Sequence, residues 1–395
     1  MKNIKKRIFR YLKHISITFF VVIPILFVVG ILSLGGGIHY GDNPKRLNWN
    51  NEGPYVFYKN DSTINIKYIK GNKKDGYSLD QKEYSVNSSI SAKSFFALDS
   101  SEFEFNIKTN FEIPKTVYND ENSILAISDI ESGYRTFRDF LINSQVIDKN
   151  LNWTFGKGHL VLVGDFVDRG FSTTQVLWFI YKLEQDAEKH GGTVHFILGN
   201  HELKNMYGDY GAASLKYTFV SSILGKTQSQ LYNQNSLMGK WLSSKNIIEK
   251  INGHVFTHGG LHPDLVHTNY SLENINTIVR ETYYTAPYPK AQKSDADILI
   301  SSKDGPAWYR GYFREDLSQE SVNQVLDHYE AKDVIVGHTI QSKVNKSFNG
   351  RVIGIDIAHP KDYHKNWPQK ESEALFIDGD SYYRILSSGR KKVMK

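Results

Sequence analysis

Cysteine is absent from all 395 residues. That excludes disulfide scaffolds, thiolate zinc sites, iron–sulfur clusters, lipid attachment through a thiol and cysteine nucleophiles. Acidic residues are absent from the first 14 positions, which carry Lys2, Lys5, Lys6, Arg7, Arg10 and Lys13. Those cations equal the whole formal charge of +6, and the other 42 basic side chains are matched by 42 acidic ones. The body therefore lacks the basic excess of a nucleic-acid-binding surface, and no nucleic-acid partner is expected. Apolar residues are not scarce: 40% hydrophobic and 23% charged is globular composition, which excludes wholesale disorder.

Charge is also missing from Ile15 to Leu34, a run as long as the hydrocarbon core requires of a helix. Pro24 and Gly30 are tolerated in such a helix. The basic tail, 1–14, is expected to stay in the cytoplasm, with 15–34 a single-pass anchor and the rest on the periplasmic or extracellular side. A cleaved signal is the rival. Its apolar region is shorter and ends in a small-residue cleavage site, and this run ends Leu-Ser-Leu-Gly-Gly-Gly.

Residues 35–53 are rich in glycine and asparagine and read as a linker. Within 54–118, PYVFYKN, TINIKYIKGN, YSLDQKEYSV and FEFNIKTNFEI alternate apolar and polar residues, the period of half-buried antiparallel strands. A small β-rich appendage is expected there. From 119 to 395 the pattern changes. ILAISD, HLVLVGD, TVHFILGN, HVFTHGG and DVIVGHT are short continuous apolar runs, suited to strands buried on both faces. Helical stretches lie between the first of them: Phe137, Phe140 and Leu141 share one face, as do Val176, Ile180, Leu183 and Ala187. The fold class is α/β, with helices covering sheets. The segment 208–250 reads as a helical cap.

Each apolar run ends in residues able to ligate metal or move protons. They are Asp129 and Glu131; Asp165 with Asp168 and Arg169; Asn200 with His201; His258; and His338. Ligands in open α/β sheets bind beyond the carboxyl ends of the strands, so these side chains are expected in one cleft. Mixed oxygen and nitrogen donors suit manganese, iron or zinc.

GDFVDRG, GNHELKNMYGDY, VFTHGGLHP, DGPAWYRGY and VIVGHT, in that order, resemble the calcineurin-like metallophosphoesterases. The chain is most similar to their phosphoprotein-phosphatase branch, and within it to the Shewanella-like bacterial-type phosphatases. The resemblance covers about 123–380. It implies a two-sheet sandwich with flanking helices and a pair of divalent or transition metal ions. By motif position, Asp129, Glu131 and Asp165 would hold the first ion. Asp165 would bridge to a second held by Asn200, His258 and His338. His201 would be the general acid, oriented by Asp168, with Arg169 and Arg310 on phosphate oxygens.

Two residue types are missing where the family has them. Imidazole is missing from the first motif, which reads Asp129-Ile130-Glu131 in place of Asp-x-His. A third carboxylate there favours a harder ion such as manganese, iron or magnesium. Glu131 either ligates, weakens the first site, or marks a chain that only binds. A second histidine is missing after Gly337-His338, which favours phosphomonoesters over diesters. The expected function is metal-dependent hydrolysis of a phosphorylated protein or small phosphomonoester. The rivals are a dinucleoside-polyphosphate hydrolase and a membrane-tethered binding protein with a degraded site.

Overall fold

The computed structural model describes residues 2–33, 38–291, 294–314 and 316–394. Three consecutive helical stretches, Lys2–Ile17, Thr18–Val22 and Ile23–Ser33, open the chain. Asn3–Gly30 is long and apolar enough to cross a membrane, and none of its apolar window is buried against the body. Residues 34–37, the end of the expected span and the start of the expected linker, lie outside the described residues.

The strands that carry the site are β1 (Ile124–Ile127), β2 (His159–Val163), β3 (Thr193–Ile197), β4 (His254–Thr257), β5 (Asp333–Val336) and β6 (Val352–Gly354). They sit in two six-stranded sheets. In the first, β3, β2 and β1 run parallel, followed by the antiparallel strands Glu373–Asp378, Ser381–Leu386 and Lys391–Val393. In the second, β4, β5 and β6 run parallel. Ile124, Ala126, Val161 and Val163 face Phe256, Ile335 and Ile353 in the core between the sheets. Leu125, Ile127, Leu160 and Leu162 point the opposite way, into a second core under the helices. Burial on both faces is why these strands read as unbroken apolar runs.

Helix Tyr134–Asn143 buries Phe137, Phe140 and Leu141. Helix Thr173–Lys189 buries Val176, Ile180, Leu183 and Ala187, but also Leu177, Trp178 and Tyr181. The extra burial has a definite cause. Strands Glu52–Asn60, Thr63–Asn72 and Gly76–Ser85 form one sheet, and Ile90–Phe96 pairs with Ser101–Ile107. These N-terminal strands lie over the helix: Phe105 stacks on Trp178 with centroids 4.7 Å apart, and Trp178 Nε1 donates to Pro54 O at 2.8 Å. Val56, Ile66, Phe103 and Phe105 belong to the same apolar cluster as Phe137 and Phe179.

Three local features differ from the sequence reading. The stretch read as a linker is built into the fold: Ile38–Tyr40 pairs with Lys365–Trp367, and Glu52 is buried against Lys216 and Gln175 at 2.9 Å each. A buried carboxylate persists there because both partners are in place. In the segment read as a cap, helices Leu215–Ile223 and Leu237–Ser243 are present, but Ile248–Ile251 is a strand between β4 and Val117–Tyr118. The strand Ile90–Phe96 was not anticipated, although its burial alternates strictly over most of its length.

Candidate active site

The loops after β1 to β5 converge on one cleft. Several of their residues hold the left-handed backbone that ordinary side chains avoid: φ is 56° at Asp129, 49° at Glu131, 58° at Asp165, 66° at Asp168 and 62° at His338. Such backbone concentrates where surrounding structure enforces side-chain direction. Glycine serves the same end by letting loops close in. A Cβ on Gly199 would stand 2.3 Å from Asp165 Oδ1, and one on Gly337 would stand 2.6 Å from Asp129 Oδ2.

Asp165, His258 and His338 each offer a donor atom within 4.8 Å of the others, and all three are buried. His258 Nδ1 donates to Val163 O at 2.8 Å, which leaves Nε2 to face the cleft. That Nε2 lies 3.0 Å from Asp165 Oδ2 without hydrogen-bond alignment, and it has no other partner. Asn200 is buried at the start of helix Asn200–Tyr207, and its Oδ1 is likewise unpartnered. Burial opposes charge on His258, but Asp165 and Asp129 outweigh it and raise the imidazole to about 10. Burial also opposes charge on Asp165, and the surrounding histidines overcome it and hold this carboxyl well below the ordinary range. His338 is pushed down to about 2 by burial, His258 and Arg310, so its ring stays neutral, the form that ligates.

The other side of the cleft is arranged differently. Asp129 Oδ2 accepts from the backbone N–H of His338 at 3.2 Å. Burial raises the Asp129 carboxyl to about 7, with neighbouring Asp165 adding to the rise. Glu131 has both oxygens engaged, Oε1 by Arg169 and Oε2 by Lys361. Burial works to raise its pKa, but the two cations reverse that and hold it below the usual value. Asp356 lies two residues beyond β6, which runs parallel to β5, so it is the strand-end neighbour of His338. It is buried, and burial together with Asp129 and Glu131 drives its carboxyl far upward.

His201 Nδ1 donates to Asp168 Oδ2 at 2.8 Å, and Asn205 Nδ2 donates to Asp168 Oδ1 at 2.8 Å. The ring is thereby fixed with Nε2 toward the cleft, 3.7 Å from Asp165 Oδ2 and 3.1 Å from Arg169 Nη2. Burial lowers the His201 pKa, but the Asp168 bond and the charge of Asp165 more than restore it, for a net rise. Arg310 Nη1 donates to His338 O, and its Nη2 lies 3.2 Å from His338 Nδ1. Beneath them the buried Glu202 carboxylate accepts from the N–H groups of Asp165 (2.9 Å), Phe166 (2.8 Å) and Gly199 (2.8 Å). It holds two of the site loops together.

All ten residues singled out from the sequence therefore border one cleft. The donor set fits metal: two buried donor atoms, Asn200 Oδ1 and His258 Nε2, lack partners, and desolvated polar atoms without partners are unfavourable. Oxygen and imidazole donors together suit first-row transition ions. Sequence reasoning missed Lys361, Asp356, Asn205 and the role of Glu202. Only Glu202 had a signal, its place in the GNHE motif. His359 is a support: its Nε2 donates to Ser128 O at 3.0 Å, one residue before Asp129.

Comparison with known proteins agrees with this geometry. The profile of the calcineurin-like phosphoesterases matches residues 123–342. Shewanella-like protein phosphatase 2 of Arabidopsis thaliana is 25% identical over 328 residues, 70% of this chain and 80% of that protein. Shewanella-like protein phosphatase 1 of Plasmodium berghei is 30% identical over 226 residues, 55% of this chain and 61% of that protein. Among solved structures, the cold-active protein-tyrosine phosphatase of a psychrophilic Shewanella species superimposes with a TM-score of 0.75 at 27% identity. That match covers 87% of this chain and 99% of that one. With a profile match over more than half its length and a structural match over most of it, the chain belongs to the calcineurin-like phosphoesterase family and is a hydrolase of the phosphatase type.

Proposed function

We propose that the protein hydrolyses phosphomonoesters on protein side chains, with phosphotyrosine among its substrates, as the named activity of its structural relative suggests. The observation that carries this reading is the His201–Asp168 pair, aimed with Arg169 at the cluster of Asp165, His258 and His338. Asp165, Asn200, His258 and His338 would hold one ion, and Asp129 with Asp165 and Glu131 a second. Bound ions would supply Lewis acidity toward a phosphoryl oxygen, neutralise its charge and acidify the water whose oxygen bonds phosphorus as the ester P–O bond breaks.

The chain's own residues account for the remaining steps. Arg169 and Arg310 bind phosphate oxygens by charge-assisted hydrogen bonds and orient phosphorus. Doing so draws Arg169 from Glu131 and Arg310 from the His338 carbonyl. His201 protonates the departing alkoxide or phenoxide through Nε2. Asp168 fixes the ring and stabilises its charged form, and Asn205 fixes Asp168. Arg169 and Lys361 compete with an ion for the Glu131 carboxylate, so the Asp129–Glu131 site is the weaker one. The charge-free run 15–34 behind a basic tail supports a membrane-anchored enzyme with its cleft on the far side.

The test is hydrolysis by the full chain in detergent, with and without added manganese, iron or zinc. The substrates are p-nitrophenyl phosphate, a phosphotyrosine peptide and diadenosine tetraphosphate. Metal-dependent turnover of the first two, lost in His201→Ala, is expected. Turnover of the dinucleotide alone would assign a different hydrolase, and none with any substrate would leave a binding protein.

A further inference from the structure

An open groove of about 700 Å3 has Arg169, a residue of the cleft, in its lining. Its apolar wall is Trp49, Tyr77, Phe171, Leu215 and Phe219; Lys73 adds positive charge, while Arg46 is paired with Asp42. These residues come from four separate stretches: the segment before the appendage, the Asn72–Gly76 turn region, the loop after Arg169, and the cap helix. The wall is built rather than accidental. Trp49 stacks on Tyr77 with centroids 5.7 Å apart at 18°, and lies 5.8 Å from Phe219. Arg46 sits 5.3 Å over the Phe171 ring.

The stretches are locked together by buried polar bonds. Lys216, on the cap helix, pairs with Glu52 at 2.9 Å and donates to Phe171 O at 2.7 Å. The Arg169 N–H donates to Ala212 O at 3.0 Å. Despite this rigid frame, Leu215 is 75% exposed, Phe219 57% and Leu47 60%. Large apolar side chains clustered on a held surface mark a binding face. Lys73 has no carboxylate partner among the described residues.

We infer that this groove binds the polypeptide segment flanking the phosphorylated side chain, with an apolar residue against Trp49 and Phe219 and an acidic one toward Lys73. The inference rests on the phosphatase reading above and deepens it. Arg169 lines the groove and its Nη2 lies 3.1 Å from His201 Nε2, so a molecule whose phosphoryl group meets Arg169 has the groove wall beside it. The recess is concave and cationic, which suits an extended acidic–apolar strand. A flat bilayer cannot enter it.

The test uses the full chain in detergent with three substrates: p-nitrophenyl phosphate, a phosphotyrosine peptide with flanking Leu and Glu, and the same peptide with both replaced by Ala. Phe219→Ala and Trp49→Ala should lower kcat/KM for the Leu–Glu peptide about tenfold, mainly through KM. Turnover of p-nitrophenyl phosphate should stay within about twofold. Lys73→Glu, at an exposed position that leaves folding intact, should reverse the preference for the Glu-flanked peptide. Wild-type enzyme that treats both peptides alike, or variants that lose all three substrates in parallel, would overturn the groove assignment while leaving the phosphatase reading standing. Weakened binding of the variants to phosphatidylcholine vesicles, with peptide kinetics unchanged, would overturn it in favour of a membrane contact. Absence of turnover on all three by the wild type marks failure of the phosphatase reading itself. In that case the groove is judged by fluorescence anisotropy of the labelled Leu–Glu peptide, where equal affinity of wild type and Phe219→Ala counts against it.

Discussion

The two sides of the cleft solve the same problem unequally. On one side, Asn200 Oδ1 has no hydrogen-bond partner, and a backbone carbonyl fixes the His258 tautomer so that Nε2 meets only Asp165, itself a candidate ligand, at 3.0 Å. On the other, Asp129 bonds a backbone N–H, and both oxygens of Glu131 are held by cations. An ion on the first side inserts between its own ligands, whereas on the second it competes with two cations for one carboxylate. A motif position can thus retain a ligand-type residue and still lose affinity. What matters is the competing partner that the loop brings to it.

Four substitutions probe this asymmetry, in falling order of effect. Asn200→Ala or His258→Ala removes a donor from the first side and should lower kcat/KM on the order of 10^3-fold, with loss of one ion by elemental analysis. His201→Ala should reduce kcat by about 10^2- to 10^3-fold without altering metal content. Glu131→Gln, on the weaker side, should cost about tenfold; equal losses on both sides would erase the comparison.

Asp168→Asn isolates the pH dependence. The Asp168 bond and carboxylate charge raise the His201 pKa, so the proton-donating form persists to higher pH. Removing the charge lowers that pKa, and the alkaline limb of the kcat–pH profile should move to lower pH. An unmoved limb would assign it to another group.

The smallest effect concerns support for the weaker side. His359 is buried and bonded to Ser128 O and Ser372 Oγ at 3.0 Å each. Burial lowers its pKa from 6.5 to about 4. Its folded pKa lies below the unfolded one, so its contribution is complete above pH 6.5 and is lost as pH falls toward 4. The loss amounts to at most about 3 kcal/mol. Chemical denaturation of wild type and His359→Gln across that range measures it, and the variant should show a shallower decline.

The strand ends were legible because β1 to β5 are buried on both faces, so each continuous apolar run stops where polar chemistry begins. The helix faces of Phe137 and Val176 were legible for a similar reason, their periodicity. The partners of Glu131 were not. Lys361 is 230 positions away on an irregular loop, and no period links the two. Asp356 escaped notice because only the parallel register of β5 and β6 brings it beside His338. The segment before Glu52 read as a tether because its glycines and asparagines carry no trace of Lys216, the buried partner that anchors it.

Stepwise metal titration of the full chain by calorimetry, with bound ions counted by elemental analysis, tests the asymmetry most directly. Two ions should be taken up in separate steps, the second weaker, with the two affinities converging in Glu131→His. Two equally tight steps in the wild type, or a Glu131→His titration indistinguishable from it, would mean that the sites do not differ through Glu131.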